Sequence, residues 1–183
     1  LKSNVVTASG NYTVTVTDSK GCFQTDQVVV TVNPSLNADA GTDQIICAGA
    51  SATLTVNGGS TYSWSNNGGS SASATFSPVS TTTYNVTAVD ANGCSATASK
   101  AVTVNSLPTP TISGNTGICP GGSTTLTANG GTNFAWSNTL GNTAAVTVSP
   151  SGNTTYTVTV TNASNCSATA SQLVTVNANP VAN

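Results

Sequence analysis

The sequence has no histidine, arginine, glutamate or methionine, and only three lysines and five aspartates in 183 residues. Each absence removes a class of chemistry. Three lysines cannot form the basic patch that neutralises phosphates, so nucleic acid is not an expected partner. Without histidine, a serine or cysteine nucleophile has no ordinary base. Five aspartates, scattered and out of register, offer no pair for general acid and base work. No catalytic residues and no cofactor site are therefore expected, and a net charge of −2 is too small to select a cationic partner. No apolar run is long enough to span a bilayer, so membrane insertion is not expected. Residues 1–8 lack the charged start, apolar core and cleavage site of a signal peptide.

Serine, threonine, asparagine and glycine supply the missing polarity, and valine with threonine brings a strong preference for extended backbone. The sequence also repeats itself with a period of 72 residues. Cys22, Cys94 and Cys166 stand in register, as do Cys47 with Cys119, Trp64 with Trp136, and Tyr12 with Tyr84 and Tyr156. Laid over 106–177 without a gap, residues 34–105 match at 34 of 72 positions. Self-similarity at that period marks a tandem array. The organisation read from it is 1–33 as the last part of one repeat, 34–105 and 106–177 as complete repeats, and 178–183 as a linker into another.

Within a repeat, short alternating runs are parted by clusters such as Asn57-Gly58-Gly59, Asn66-Asn67-Gly68-Gly69 and Asn92-Gly93. Strands are expected at 52–56, 61–65, 72–77, 82–90 and 96–105, and no segment has a helical period. The fold class that follows is all-β, a tandem array of immunoglobulin-like β-sandwich repeats. In Tyr12-Thr13-Val14-Thr15-Val16-Thr17 a period of two sends Tyr12, Val14 and Val16 to one face, expected to point inward, with the threonines outward.

Trp64 and Trp136 follow the Gly-Gly turns, where such sandwiches bury a core tryptophan; exposed stacking on carbohydrate is the alternative role. Tyr12, Tyr84 and Tyr156 open the following long strand and are expected to be structural. Cys47 with Cys94, and Cys119 with Cys166, have equal separations (94 − 47 = 166 − 119 = 47), which predicts one disulfide inside each complete repeat. Cys22 is then unpaired, its partner belonging to the absent front of its repeat. Zinc is the rival use of these cysteines, but there is no histidine and no Cys-x-x-Cys pair, so no metal site is expected. Disulfides imply an oxidising compartment, hence an extracellular or cell-surface location.

The runs Ile46-Cys47-Ala48-Gly49, Tyr62-Ser63-Trp64-Ser65, Ser77-Pro78, Thr82-Thr83-Tyr84 and Asn92-Gly93-Cys94 recur as Ile118-Cys119-Pro120-Gly121, Trp136-Ser137, Ser149-Pro150 and Thr154-Thr155-Tyr156. This combination resembles the immunoglobulin-like and PKD-like repeats of large Bacteroidota surface proteins, including gliding-motility adhesins of the SprB type and other cargo of type IX secretion. The resemblance covers essentially the whole chain. It implies a secreted or surface-displayed role without catalytic residues, in stalks, filaments and adhesins. One departure is Asn162-Ala163-Ser164-Asn165, which stands where Asp18 and Asp90 lead the equivalent turns.

Two functional readings follow. In the first, the repeats are a stalk or filament whose partners are the neighbouring repeats of the same chain. In the second, the repeats bind surface glycans or a partner through variable loops such as 66–71 and 138–142, or assemble with other copies into a fibre by strand exchange. Asp39, Asp43 and Asp90 are candidates for a single calcium site, but their counterparts Thr111, Asn115 and Asn162 carry no charge. The sequence is expected to be a window of a longer polypeptide. Intact mass spectrometry of the natural protein checks this: a mass above that of these 183 residues is the expected result.

Overall fold

A computed structural model describes residues 3–181. Leu1 and Lys2 of the expected partial repeat, and Ala182 and Asn183 of the expected linker, lie outside the described residues. Every regular element among the described residues is a strand. The first repeat contributes β1 (Gly10–Thr17) and β2 (Phe23–Val30). The middle repeat contributes β3 (Gln44–Cys47), β4 (Ala52–Thr55), β5 (Thr61–Trp64), β6 (Ser73–Phe76), β7 (Thr82–Val89) and β8 (Ser95–Asn105). The third contributes β9 (Thr111–Ser113), β10 (Gly117–Ile118), β11 (Thr124–Asn129), β12 (Asn133–Trp136), β13 (Ala145–Val148), β14 (Thr154–Thr161) and β15 (Ser167–Val176).

The chain divides into two compact units. One holds the described part of Leu1–Gly41 with Leu54–Ala74 and Asn85–Ser99; the other holds Thr42–Thr53, Thr75–Tyr84 and the described part of Lys100–Asn183. The division runs through the middle repeat.

The third repeat lies wholly in the second unit and shows the architecture best. Its two sheets run β10-β15-β14-β12 and β13-β11-β9. All pairings are antiparallel except β10 with β15, where Ile118 stands opposite Val176 in parallel. The middle repeat takes the same order, β3-β8-β7-β5, with β3 parallel to the end of β8. These are immunoglobulin-like sandwiches.

The five expected strands of the middle repeat are observed, four of them ending one residue earlier. Three short strands had no sequence signal: β3, β10 and β9. A strand of two to four residues that pairs with one neighbour has too few positions to show alternation. Pairing in register carries the period of 72 into space. Thr61 faces Val89 as Asn133 faces Thr161, and Gly10 faces Val30 as Thr154 faces Val174, two repeats on.

Alternation builds the core of the third repeat. Leu126, Ala128, Val146 and Val148 come from one sheet, and Ile118, Trp136, Tyr156, Val158, Val160 and Val174 from the other. All are buried, and the intervening threonines face outward, where a β-branched side chain favours strand geometry and keeps its hydroxyl in water. Threonine and serine pairs link neighbouring strands on this outer face, as in Thr125–Thr147 at 3.2 Å and Thr157–Ser171 at 2.8 Å. Chain crossings are tight: a side chain at Gly130 would run into the backbone of Thr109, and one at Gly58 into Asn37.

The β1–β2 hairpin departs from the inward orientation expected for its valines. Val14 and Val16 are 57% and 66% exposed, whereas their counterparts Val158 and Val160 are 0% exposed. Among the described residues the hairpin has the right alternation and forms a two-stranded sheet by itself, and its apolar face lines an open trough of about 360 Å³ with Tyr12, Val28 and Val30. Exposure, not sequence, separates these valines. Leu126→Ala should therefore cost about 3 kcal/mol by cavity formation, while Val16→Ala should shift stability by less than about 0.5 kcal/mol. Chemical denaturation of the two variants measures both.

Candidate functional site

Two kinds of turn present the cysteines. The first ends the short parallel strand. In Cys47-Ala48-Gly49-Ala50, Ala50 N–H donates to the Cys47 carbonyl at 3.0 Å; in Cys119-Pro120-Gly121-Gly122, Gly122 N–H donates to the Cys119 carbonyl at 2.9 Å. The third residue has positive φ in both, 86° at Gly49 and 77° at Gly121. That is the glycine position of a type II turn, and Pro120 occupies the second position, whose φ proline presets. Each turn is anchored to the end of the last strand of its own repeat, by Ala48 N–H to the Asn105 carbonyl and by Asn177 N–H to the Ile118 carbonyl, both at 2.8 Å.

The second turn joins the two long strands. Asp18 Oδ1 accepts from Lys20 N–H at 2.8 Å and Cys22 N–H at 2.9 Å. Asp90 Oδ1 accepts from Asn92 N–H and Cys94 N–H at 2.9 and 2.8 Å. Asn162 Oδ1 accepts from Ser164 N–H and Cys166 N–H, both at 3.0 Å. In all three the leading N–H closes the turn on the cysteine carbonyl. The residue before each cysteine is left-handed: Gly21, Gly93 or Asn165. The shared role of the aspartate is thus to hold a loop through one oxygen, which an amide oxygen performs equally. The departure at Asn162 keeps the turn and adds a donor, since Asn162 Nδ2 reaches the Ser106 carbonyl at 2.9 Å.

One turn of each kind is joined. Cys47 is disulfide-bonded to Cys166 with their Cα atoms 5.6 Å apart, across 119 residues. Cys22, Cys94 and Cys119 are free. The pairing expected within repeats, Cys47–Cys94 and Cys119–Cys166, is therefore corrected: the bond joins the middle repeat to the third. The reason is strand length. In the third repeat, Cys119 follows Ile118, which lies opposite Val176 near the end of β15, and Cys166 precedes its start. Ten residues of strand put about 33 Å between those positions, far beyond the roughly 7 Å limit for bridging Cα atoms. In the middle repeat Cys47 stands opposite Asn105, at the end of the eleven-residue β8, and Cys94 precedes its start.

The sequence does contain the separation observed, since 119 = 47 + 72, but the period admits either pairing equally. The parallel first strand decides between them, and it left no signal. Around the bond, Ile45, Ile46, Cys47, Asn105, Ser164 and Asn165 line an open cleft of about 580 Å³. Cys166 is fully buried there.

The other singled-out residues are placed as follows. Trp64 and Trp136 are buried, and each indole N–H donates at 2.9 Å to the loop that follows its strand, at the Ser71 and Thr143 carbonyls. Tyr84 and Tyr156 are buried, with Tyr84 stacked on Phe76 at 3.9 Å between ring centroids. Tyr12 is half-buried and donates to the Ala8 carbonyl at 2.8 Å. Each of Asp39, Asp43 and Asp90 accepts a backbone N–H through one oxygen. No three acidic or cysteine side chains come together as a metal site among the described residues. Loops 66–71 and 138–142 each contain left-handed non-glycine residues, Asn66 and Asn67 in one, Asn138 and Thr139 in the other.

Residues 37–108 match the family model of an Ig-like domain described as CHU_C associated. That match spans 72 residues (108 − 37 + 1), one period of the repeat. None of the curated proteins matches the chain. Similar solved structures include the N-terminal eight Ig domains of Down syndrome cell adhesion molecule, at 20% identity over 97% of this chain and 32% of that one, TM-score 0.36. A calcium-stabilised adhesin of an Antarctic bacterium is similar at 15% identity over 92% of this chain and 56% of that one, TM-score 0.46. A three-Ig segment of titin is similar at 11% identity over 94% and 75%, TM-score 0.44. The chain spans about a third of the first of these and just over half of the second.

The staple has a direct test. Reduction, or Cys47→Ala, should lower unfolding stability by about 2–4 kcal/mol through the longer loop released. Cys94→Ala should leave it within about 0.5 kcal/mol, whereas a bond inside the repeat would make the two variants alike. Asn162→Asp should keep the turn and Asn162→Ala should cost about 1 kcal/mol, both read from thermal melts.

Proposed function

We propose that the chain is a non-catalytic, load-bearing segment of an extracellular or cell-surface adhesin, used as a stalk or filament in surface attachment or gliding. The observation that carries this reading is the disulfide between successive repeats. A bond inside one sandwich protects that sandwich; a bond from the strand of one repeat to the turn of the next protects the pair. Tension applied to the ends then bypasses the 119-residue span from Cys47 to Cys166, because the path runs through the sulfurs. Only residues 1–46 and 167–183 remain free to lengthen.

Other features support the same reading. Repeated sandwiches suit a spacer, since stability adds up from repeats and nearest neighbours. Hydroxyl and amide side chains give solubility without charge, and three lysines with no arginine leave trypsin-like proteases few sites. A disulfide belongs in an oxidising compartment, which favours export. Direct binding of glycans or a partner surface through the 66–71 and 138–142 loops is the competing reading.

Single-molecule pulling tests the proposal. The oxidised chain, held at its ends, should hide about 400 Å of contour, the 119 bridged residues at roughly 3.4 Å each, and should release it on reduction. Equal extension before and after reduction would overturn the load-bearing role. Saturable binding of the intact chain on a glycan array would favour the competing reading.

A further inference from the structure

The chain leaving β8 holds both halves of the staple through two consecutive carbonyls. The Asn105 carbonyl accepts the Ala48 N–H at 2.8 Å and so anchors the turn that begins at Cys47. The Ser106 carbonyl accepts Asn162 Nδ2 at 2.9 Å and so anchors the turn that ends at Cys166. The same asparagine grips the cysteine itself, since its Oδ1 accepts the Cys166 N–H at 3.0 Å together with that of Ser164. One side chain therefore ties the residue that carries the second sulfur to the strand end that carries the first.

Only one orientation of this amide satisfies the three contacts. Turned over, Nδ2 would meet two N–H donors and Oδ1 would meet a carbonyl oxygen. Aspartate, which leads the turns before Cys22 and Cys94, supplies the accepting oxygen but has no N–H to give. The donor is thus the part of Asn162 that the turn does not use. Asn162 is half-buried, and Ser164 and Asn165 of its turn line the cleft with Cys47 and Asn105.

We propose that Asn162 is the positioning residue of the Cys47–Cys166 disulfide: its amide seats the hairpin turn on the strand end, so the staple forms more readily and resists reduction. The proposal rests on the bond itself, and to the load-bearing reading it adds only what sets the strength of that bond. In the reduced chain the hydrogen bond keeps Cys166 near Cys47 and raises the effective concentration of one thiol at the other. Each contact favours the other, and the coupling is reciprocal. Two cysteine thiols and one oxidised glutathione give the chain disulfide and two reduced glutathiones; the sulfurs of the chain are oxidised and those of glutathione are reduced. Loss of the amide N–H moves this equilibrium toward the thiols and leaves the turn in place.

The test equilibrates the full 183-residue chain in glutathione buffers of graded ratio and maps the quenched peptides, which gives the equilibrium constant of this one bond. Asn162→Asp keeps the accepting oxygen and sets a second oxygen against the Ser106 carbonyl. It should lower the constant roughly tenfold, about 30 mV for two electrons. Asn162→Ser is uncharged, keeps an accepting hydroxyl and is too short to reach Ser106; it should lower the constant roughly threefold. Matching circular dichroism of the oxidised chains verifies that both variants fold. In the parent chain, reduction should move the Asn162 side-chain amide signal toward that of free asparagine in nitrogen–proton correlation spectra. A constant unchanged in either variant, or an amide signal indifferent to reduction, would overturn the proposal. No force is applied, so such a failure is distinct from failure of the load-bearing role, which pulling decides.

Discussion

The length of the last strand in each repeat is the constraint on which the covalent structure depends. Ten residues of β15 put about 33 Å between the position of Cys119 and that of Cys166. No side-chain adjustment closes such a gap, because the strand is locked by its ladder to β14 along its first eight residues and to β10 at its end. The cysteines of a repeat are therefore poles, and a bond between poles of different kinds has to run from repeat to repeat. What would otherwise be a clamp on one sandwich becomes a link in a series.

That link is positioned by main-chain chemistry with almost no help from charge. A glycine in a left-handed conformation turns the chain after Cys47 and Cys119. A single side-chain oxygen, from aspartate or asparagine, gathers two N–H groups ahead of Cys22, Cys94 and Cys166. Such turns tolerate Asp-to-Asn exchange because only an acceptor is required. The same economy appears on the sheets, where threonine serves as strand former, outward polar group and cross-strand hydrogen-bond partner. A surface of this kind keeps its interactions whatever the ionic strength, since little of it is electrostatic.

The hairpin of β1 and β2 shows what a pair of strands gains from an opposing sheet. β1 and β2 pair in the register of the complete third repeat, yet their valines lie open. Local sequence therefore suffices for the hairpin, while burial requires the opposing strands that supply residues such as Leu126 and Val146. This division of labour explains how a repeat can be extended in series: each carries its own hairpin turn, and each presents that turn and its cysteine at one pole.

By itself the sequence determined the all-β class, the period of 72, the long strands and the placement of Trp64, Trp136, Tyr84 and Tyr156, because alternation and recurrence are properties of residue order. The tertiary structure alone decided the partner of Cys47. Separations of 47 and 119 residues differ by one period, so residue order treats them as equivalent. Only the parallel pairing of β3 and β10 with the ends of β8 and β15 distinguishes them. Those strands are too short to leave a periodic trace, and the distance they impose along the last strand is a fact of three dimensions.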